Sequence, residues 1–156
     1  MKSLSKITGI IALVFIVGAC KSSSSKAKSE TVAVQHKTIT EKYWKLIEIN
    51  GNPVVVGESV GREAFIILKN ENNRVNGNGG CNTLSGTYEI DAAVNRIKFS
   101  QMASTMMACI KMEVEEELKK ILEMVDNYSL SDDGKYLSLN RARMAPLARF
   151  EIVYLQ

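Results

Sequence analysis

Histidine is nearly absent from this chain of 156 residues, which contains only His36. That residue lies in a stretch rich in serine and lysine, so a Ser-His-Asp or Cys-His arrangement held rigidly in a domain is not expected. The motifs H-E-x-x-H and G-x-S-x-G are also missing. A carboxylate pair drawn from Glu63, Glu89 and Asp91 is the remaining catalytic alternative, but such acids are usually solvated. The sequence therefore predicts a protein that is not an enzyme, with no catalytic residues and no cofactor.

The apolar run near the N-terminus is too short to span a membrane. It covers the 11 residues 7–17, whereas a transmembrane helix needs about 20. Two lysines precede the run and the tetrapeptide Val-Gly-Ala-Cys follows at residues 17–20, an order typical of a cleaved secretory signal. The tetrapeptide resembles the lipobox of bacterial lipoproteins, whose cysteine sulfur receives a diacylglyceryl group. We therefore predict a signal peptide over residues 1–19 and lipidation of Cys20.

Net charge is also small once that signal is removed. The whole chain carries a formal charge of +3, and the chain from Cys20 onward keeps 18 basic and 17 acidic residues. It has no basic stripe with interleaved aromatic residues, which would indicate a nucleic-acid-binding protein. We therefore expect no nucleic-acid partner. The length of the mature chain suits a single domain with a sizeable core.

Residues 20–38 have few apolar side chains and are rich in serine and lysine. This composition predicts a flexible tether, whose root-mean-square span of about 25 Å would hold a domain away from a lipid surface. Two or more acyl chains on Cys20 would anchor the protein stably, so the membrane is an expected partner. Lys21, rather than aspartate, follows the lipidated cysteine and resembles the enterobacterial pattern for the outer membrane. We expect the protein on the periplasmic face of that membrane.

Short segments of alternating apolar and polar residues follow the tether. Runs of this kind, separated by turn residues, predict antiparallel strands. Turn signals are clear at residues 50–53, where glycine and proline occur together, and at 131–134, where aspartate precedes glycine. In the first strand Trp44, Leu46 and Glu48 fall on one face. Strands are predicted at residues 43–49, 63–68, 74–76, 87–90, 96–99, 128–130, 136–139 and 147–155.

One segment departs from the strand pattern and predicts a single amphipathic helix over about residues 112–126. Its apolar residues recur at helical spacing, and four glutamates crowd its first turn. Negative charges at this position interact favourably with the positive end of the helix dipole, which stabilises the helix by about 0.3–1 kcal/mol for each glutamate. No histidine or inward-facing partner recurs at ligand spacing, so we predict no metal site. The apolar stripe is Val114, Leu118, Ile121, Leu122 and Val125, and the acids are Glu113, Glu115, Glu116 and Glu117.

Cysteine is scarce, and no C-x-x-C motif occurs. Apart from Cys20 the chain has Cys81 and Cys109, an even pair that favours a disulfide in an oxidising compartment. Closing a loop of about 29 residues would stabilise the fold by about 3.5 kcal/mol in the chain-entropy model. Two free buried thiols, or a reactive pair, are the alternatives. The reactive pair is disfavoured because no nearby histidine or basic cluster would lower a thiol pKa.

Methionines are concentrated beside the second of these cysteines. Thioethers together with a thiolate can hold Cu(I), which makes a copper carrier an alternative function. Methionine more often fills irregular gaps in a core, and a cysteine in a disulfide supplies no thiolate. The methionines are Met102, Met106, Met107 and Met112.

A glycine cluster occupies residues 77–80. Gly77, Gly79 and Gly80 permit positive φ and the close approach of another strand, and neighbouring asparagines can bond adjacent amides. A phosphate-binding loop is not indicated, because the G-K-[ST] ending is missing and a strand follows instead of a helix.

Two motifs in this region are similar to those of the META domain (HslJ-like) family of bacterial envelope proteins. The pattern G-C-N-x-x-x-G-x-Y starts at the last glycine of the cluster, and T-x-M-A-C follows later. The family often carries a basic residue where this chain has Met106. The resemblance covers about residues 39–155, which predicts a META domain over 39–156. The matching residues are Gly80, Cys81, Asn82, Gly86, Tyr88, Thr105, Met107, Ala108 and Cys109.

The resemblance implies a compact, mainly β, antiparallel barrel-like sheet with one helix, and phenotypes of heat shock and antibiotic tolerance rather than a known reaction. We therefore expect a membrane-anchored envelope lipoprotein with a non-catalytic binding or structural META domain and an envelope protein partner. Envelope maintenance or tolerance to stress and antibiotics is the expected role. The alternative is a periplasmic carrier of a small apolar ligand or Cu(I), with Trp44, Phe65 and Phe99 lining a cavity inside a barrel of about eight strands.

Overall fold

A computed structural model describes residues 38–143 and 145–154. The predicted signal peptide, the lipidation of Cys20 and all but the last residue of the predicted tether lie outside the described residues. In the described part, no helix is both long enough and apolar enough to cross a membrane.

Nine strands among the described residues form one antiparallel sheet. The first strand pairs with the last, which closes eight of the strands into a barrel. The two-residue second strand pairs with the end of the first strand. This confirms the predicted mainly β, barrel-like fold. The strands are β1 (Tyr43–Ile49), β2 (Asn52–Pro53), β3 (Phe65–Lys69), β4 (Arg74–Asn78), β5 (Thr83–Asp91), β6 (Arg96–Ser104), β7 (Asn127–Leu130), β8 (Tyr136–Asn140) and β9 (Ala148–Val153).

The predicted helix is also present, as α1 (Glu113–Met124). Its inner face is fully buried at Leu118, Ile121 and Leu122, as the spacing of the apolar residues predicted. The helix packs against β6, which pairs with β7 at one position, between Arg96 and Asn127. The helix therefore covers the part of the sheet where these two strands separate.

A single cluster of apolar side chains forms the core of the barrel. Trp44 is completely buried, and its indole nitrogen donates a hydrogen bond of 2.8 Å to the carbonyl oxygen of Ile39. This bond satisfies the polar end of an otherwise apolar side chain. Other large side chains with almost no exposure are Phe150, Leu46, Ile66, Leu68, Leu84, Ile97 and Leu137.

The sequence predicted the wrong side of the sheet for the β1 residues that follow Leu46. The register between β1 and β9 shifts between Leu46 and Glu48, which marks a bulge. An extra residue in a strand reverses the side on which the following side chains lie. Ile49 is consequently buried, while Glu48 lies outside and forms an ion pair of 3.3 Å with Arg149.

The strands β5 and β6 extend further than the alternation predicted, by several residues at the start of β5 and at the end of β6. Opposite Gly86, β6 contains one extra residue: Ser85 pairs with Ala103, but Thr87 pairs with Ser100. Gln101 adopts a φ of 52° in this bulge. The bulge and the small residues around it interrupt the period-two pattern, which explains why the sequence prediction was too short.

Candidate functional site

The two family-like motifs meet at one end of the barrel. The first begins in the turn between β4 and β5, and the second lies in the segment that joins β6 to α1. We call that segment, residues 105–112, the braced loop. The predicted disulfide links the two: Cys81 and Cys109 are bonded, with their Cα atoms 6.2 Å apart.

Asn82 holds the braced loop independently of the disulfide. Its side chain is 1% exposed, and its Oδ1 accepts hydrogen bonds of 2.7 Å from the Thr105 hydroxyl and from the Met107 amide. Its Nδ2 donates to the Met107 carbonyl oxygen at 3.1 Å. One buried amide therefore satisfies both the donor and the acceptor of the Met107 backbone, which fixes the path of the loop.

Glu115 connects the start of α1 to the same turn. Its Oε2 accepts hydrogen bonds from the amides of Cys81 at 3.2 Å and Asn82 at 2.6 Å, and its Oε1 accepts from Asn82 Nδ2 at 2.8 Å. The Lys119 ammonium lies 3.8 Å from Oε1. Glu115 lies in the acidic first turn of the helix, as the sequence predicted. The sequence did not predict its burial: Glu115 is 1% exposed. It is a structural acceptor that joins the helix to the turn before β5.

Gly79 explains why this carboxylate can be buried. A Cβ at Gly79 would overlap the Cγ atom of Glu115, and one at Gly77 would overlap the Phe65 carbonyl oxygen. These two glycines serve close approach, as expected, but they do not have positive φ. Gly80 does, with φ of 110°, and a Cβ there would also lie 2.7 Å from the side chain of Val60.

The two remaining positions of the first motif, Gly86 and Tyr88, pack against β6 and β3. A Cβ on Gly86 would overlap the Met102 sulfur that the β6 bulge places above it. Tyr88 is buried, and its hydroxyl donates a hydrogen bond of 3.0 Å to the Lys69 carbonyl oxygen. Burial is the largest cause that raises the pKa of Tyr88, and the charge of Glu41 adds to it. Both motif residues therefore have structural roles.

The tip of the braced loop is apolar and exposed. Met106 and Ile110 are each 99% exposed, and Met107 is 45% exposed. The Lys111 ammonium donates hydrogen bonds to the carbonyl oxygens of Gly57 and Glu58. The loop that contains these two residues also presents large exposed apolar side chains, Val55 and Val56.

An open groove of about 560 Å³ runs beside the braced loop. Met112 and Lys119 lie on its helix side, and Ser104 lies at the end of β6. The motifs thus build a rigid support, and the exposed apolar tip together with this groove forms the accessible surface of the site.

Residues 37–154 match the META domain family. The chain belongs to this family. The META domain is similar in fold to an NMR structure of a protein from Burkholderia xenovorans, with a TM-score of 0.60 and 17% identity over 76% of this chain and 86% of that one. It is also similar to the crystal structure of a DUF4847 family protein from Bacteroides vulgatus, with a TM-score of 0.50 and 12% identity over 75% of this chain and 94% of that one. These likenesses concern the fold. No curated protein matches the chain.

The three acids considered for a carboxylate pair do not converge in the META domain. Glu63 lies before β3, where its Oε1 accepts a hydrogen bond of 2.8 Å from the Tyr43 hydroxyl and its Oε2 lies 3.1 Å from the Lys45 ammonium. Burial opposes its ionisation, but these two partners outweigh burial and hold the pKa of Glu63 below its ordinary value. Glu89 and Asp91 lie at the end of β5, which is the opposite end of the barrel.

The residues considered for a carrier are also separated. Trp44 and Phe99 are buried in the core, whereas Phe65 lies on the outer face of β3. Met102 packs against the core, away from the exposed Met106, and Cys109 is in a disulfide, so it supplies no thiolate for Cu(I). Among the described residues, no group of three or more His, Cys, Asp and Glu side chains is placed to hold a metal ion.

Proposed function

We propose that this chain is an envelope lipoprotein whose META domain binds a protein partner through the braced loop and performs no catalysis. Lipidation of Cys20 anchors it at the periplasmic face of the outer membrane, after removal of residues 1–19. The domain contributes to envelope maintenance or to tolerance of stress and antibiotics. The support for the binding role comes from the structure of the loop, and the support for the anchor comes from the sequence.

The observation that carries the proposal is the exposure of Met106 and Ile110, at 99% each. Isolated apolar residues on a surface need no explanation, but two fully exposed ones on a short, specifically fixed loop indicate a contact surface. Burying two such side chains in a partner contributes about 1.5–3 kcal/mol each. They are therefore the candidate anchor residues of the interface.

The bracing supports the same role. A loop that is ordered only on binding loses conformational entropy at that step, and this loss weakens the complex. Here three features fix the loop before a partner binds. They are the disulfide at Cys109, the three hydrogen bonds from Asn82 to the loop, and the hydrogen bond from the Lys111 ammonium to the Glu58 carbonyl oxygen. The loop is therefore already ordered before the partner binds, and forming the complex does not carry this entropic cost.

The position of the loop leaves it accessible in a tethered protein. Thr38, the first described residue, precedes β1, and the braced loop lies at the end of the barrel where β1 finishes. The length of β1 separates these ends by about 23 Å at the usual rise per strand residue. A tether that joins the domain at Thr38 therefore attaches at the end opposite the contact surface.

Site-specific photo-crosslinking in intact cells tests the proposal. A photoreactive amino acid at Ile110 is expected to give one discrete adduct with an envelope protein. Val94, which is 59% exposed in the β5–β6 turn, is the matched control position and is expected to give none. The adduct at position 110 must also disappear when Met106→Asp is introduced.

A functional assay completes this test. In a strain that lacks the protein, the wild-type chain should restore tolerance to envelope stress, whereas Met106→Asp combined with Ile110→Asp should not. Both positions are fully exposed, so the unfolding midpoint of the variant should equal that of the wild type. Full restoration of tolerance by the variant, or equal adducts at positions 94 and 110, would contradict the proposal.

The anchor is tested separately by intact mass spectrometry of protein extracted from membranes. The expected mass is that of a chain beginning at Cys20 and carrying acyl groups. An unmodified chain, or one that retains residues 1–19, would disprove the anchor and leave the contact surface to be judged on the crosslinks.

A further inference from the structure

A second accessible feature lies on the outer face of the barrel, on the sheet formed by β1, β3, β4 and β5. It is a groove of about 510 Å³, which we call the outer groove. Its volume is within the range of about 300–1,000 Å³ that is usual for small-ligand sites. The braced loop does not line it. The residues that matter for its chemistry are Tyr43, Phe65, Ile67, Asn76, Thr83 and Ser85.

A stacked aromatic pair, which we call the platform, forms part of the lining of the outer groove. Tyr43 and Phe65 stack with ring centroids 4.3 Å apart and an interplanar angle of 20°. Both rings are partly exposed. The Tyr43 hydroxyl donates to Glu63 at 2.8 Å, and the Lys45 ammonium holds the same carboxylate at 3.1 Å. The platform is therefore fixed before any ligand binds, which lowers the entropic cost of binding.

Neutral polar side chains lie beside this platform in register. Phe65 pairs with Asn78, which pairs with Thr83, and the next outward-facing row contains Asn76 paired with Ser85. Among the described residues, the side chains of Asn76, Thr83 and Ser85 take part in no hydrogen bond. Amides and hydroxyls both donate and accept, so this row can bind a ligand that carries several hydroxyl groups.

The backbone of these strands is not available to a ligand. Each of the four strands is paired on both sides, because β1 lies between β3 and β9 and β5 lies between β4 and β6. An extended peptide therefore has no free strand edge to join. A ligand must use the ring faces and the side-chain amides and hydroxyls.

The charges at the outer groove do not select an anion. The lining contains one cationic side chain, Arg62, and one anionic side chain, Glu63, whose carboxylate pairs with Lys45. A phosphate or nucleotide site would be expected to offer clustered cations or a helix N-terminus. An uncharged ligand fits this lining better than a charged one.

We propose that the outer groove binds one or two rings of a neutral saccharide. A pyranose ring has an apolar C–H face that can pack against the aromatic surface that the Tyr43–Phe65 stacking leaves free. Its equatorial hydroxyls can hydrogen-bond to Asn76, Thr83 and Ser85, which line the same groove. This combination of apolar surface with a few placed polar groups is the usual composition of a small-ligand site. The site is separate from the contact surface of the braced loop and does not depend on the function proposed for it.

The test is NMR titration of the full chain with three neutral trisaccharides, which are triacetylchitotriose, maltotriose and cellotriose. At least one is expected to shift backbone amides at residues 65–67, 76–78 and 83–85, with a Kd of up to about 10 mM, typical of small weak ligands. The chitotriose arm distinguishes an N-acetylated sugar, as in cell-wall glycan, from plain glucose polymers. Adenosine is titrated in parallel as the ligand that is not a saccharide.

Variants locate the site. Phe65→Ala should weaken binding by about tenfold or more, as expected for loss of an aromatic anchor. Because that variant can fail to fold, the exposed Asn76→Ala provides the second measurement, with an expected loss of about threefold to tenfold. Arg74→Ala, on the same strand and face but outside the groove, and Ile110→Asp in the braced loop should bind as the wild type does.

Three results would overturn the proposal. The first is the absence of amide shifts at the groove with all three trisaccharides. The second is unchanged saccharide affinity in Asn76→Ala, and the third is adenosine giving the groove shifts when no saccharide does. Loss of binding in Ile110→Asp would also count against a separate site.

Discussion

Glu115 belongs to a run of glutamates at the start of α1, but it differs from its neighbours in burial. Glu113 and Glu116 are exposed, whereas Glu115 is 1% exposed and accepts three hydrogen bonds from Cys81 and Asn82. A buried carboxylate is costly unless donors surround it. Here two backbone amides and one side-chain amide surround it, so its charge is a structural part of the site.

Replacement of Glu115 should therefore destabilise the domain much more than replacement of its neighbour. Glu115→Ala leaves two backbone amides and one side-chain donor without acceptors, and we expect a loss of about 3 kcal/mol in the free energy of unfolding. Glu116→Ala, at an exposed position on the same turn, should change it by less than about 0.5 kcal/mol. Urea denaturation of both variants measures the difference. Equal midpoints would show that Glu115 is not a structural acceptor.

Glu41 illustrates a pH dependence at the scale of one residue. Its carboxylate accepts a 2.6 Å hydrogen bond from the Asn70 amide and one of 2.9 Å from the Lys69 ammonium. The backbone hydrogen bond is the largest cause that lowers the pKa of Glu41 from 4.5. Because the folded-state pKa is the lower one, the ionised form stabilises the fold above the unfolded-state pKa. That contribution is lost as the pH falls through the folded-state pKa.

The pH test compares melting temperatures of the wild type and Glu41→Gln. The wild type should be the more stable at pH 7, since glutamine can accept from Asn70 but carries no charge. The difference should shrink as the pH falls below about 4.5 and should be lost once the pH is below the lowered folded-state pKa of Glu41. A difference that grew toward acid pH would have the wrong sign for a lowered pKa.

At the scale of elements, the disulfide and Asn82 join two segments that are distant in sequence. Cys81 and Asn82 lie before β5, and the braced loop lies after β6. The disulfide and the hydrogen bonds of Asn82 support each other. The hydrogen bonds of Asn82 keep the loop near Cys81, and the covalent bond limits how far the loop can open.

Removal of the disulfide should destabilise the domain but should not be sufficient to unfold it. We expect Cys81→Ala combined with Cys109→Ala to lower the free energy of unfolding by about 3.5 kcal/mol in the chain-entropy model. The wild type treated with a reductant is the control and should show a similar loss. A change below about 1 kcal/mol would mean that the Asn82 network alone holds the loop.

The element scale also shows where local sequence reasoning fails. The strands β5 and β6 were predicted too short because their bulge places Gly86 under Met102 and interrupts the alternation. In β1 the bulge after Leu46 places Ile49 in the core instead of Glu48. Bulges depend on the partner strand, so the period of one strand cannot reveal them.

At the scale of the whole molecule, closure of the barrel depends on the last strand. β9 pairs with both β1 and β8, and its inner face contributes Phe150, which is completely buried. Without β9, two long strand edges and part of the core would be open to water. Exposed edges of this kind also promote aggregation.

Truncation tests this dependence. A chain that ends at Leu147 should show no cooperative unfolding transition and should lack dispersed NMR signals. The matched control, Tyr154→Ala, alters a side chain that is 75% exposed and should melt within a few degrees of the wild type. A cooperative transition in the truncated chain would show that the barrel does not require closure by β9.

The sequence by itself determined the class of the fold. Alternating apolar residues, turn glycines and one stretch of helical spacing were sufficient to locate α1 and eight of the nine strands among the described residues, because these patterns are local. It also determined the family, through two motifs, and favoured a disulfide between Cys81 and Cys109, which the structure then showed. These features depend on residue type and order alone.

Only the tertiary structure decided what the motif residues do. It buried Glu115 against Gly79, joined Asn82 to the braced loop, and left Met106 and Ile110 exposed. It also placed Phe65 beside Tyr43 on the outside of the barrel rather than inside a cavity. The physical reason is that burial and hydrogen-bond partners arise from segments distant in the chain, which come together only when the barrel closes.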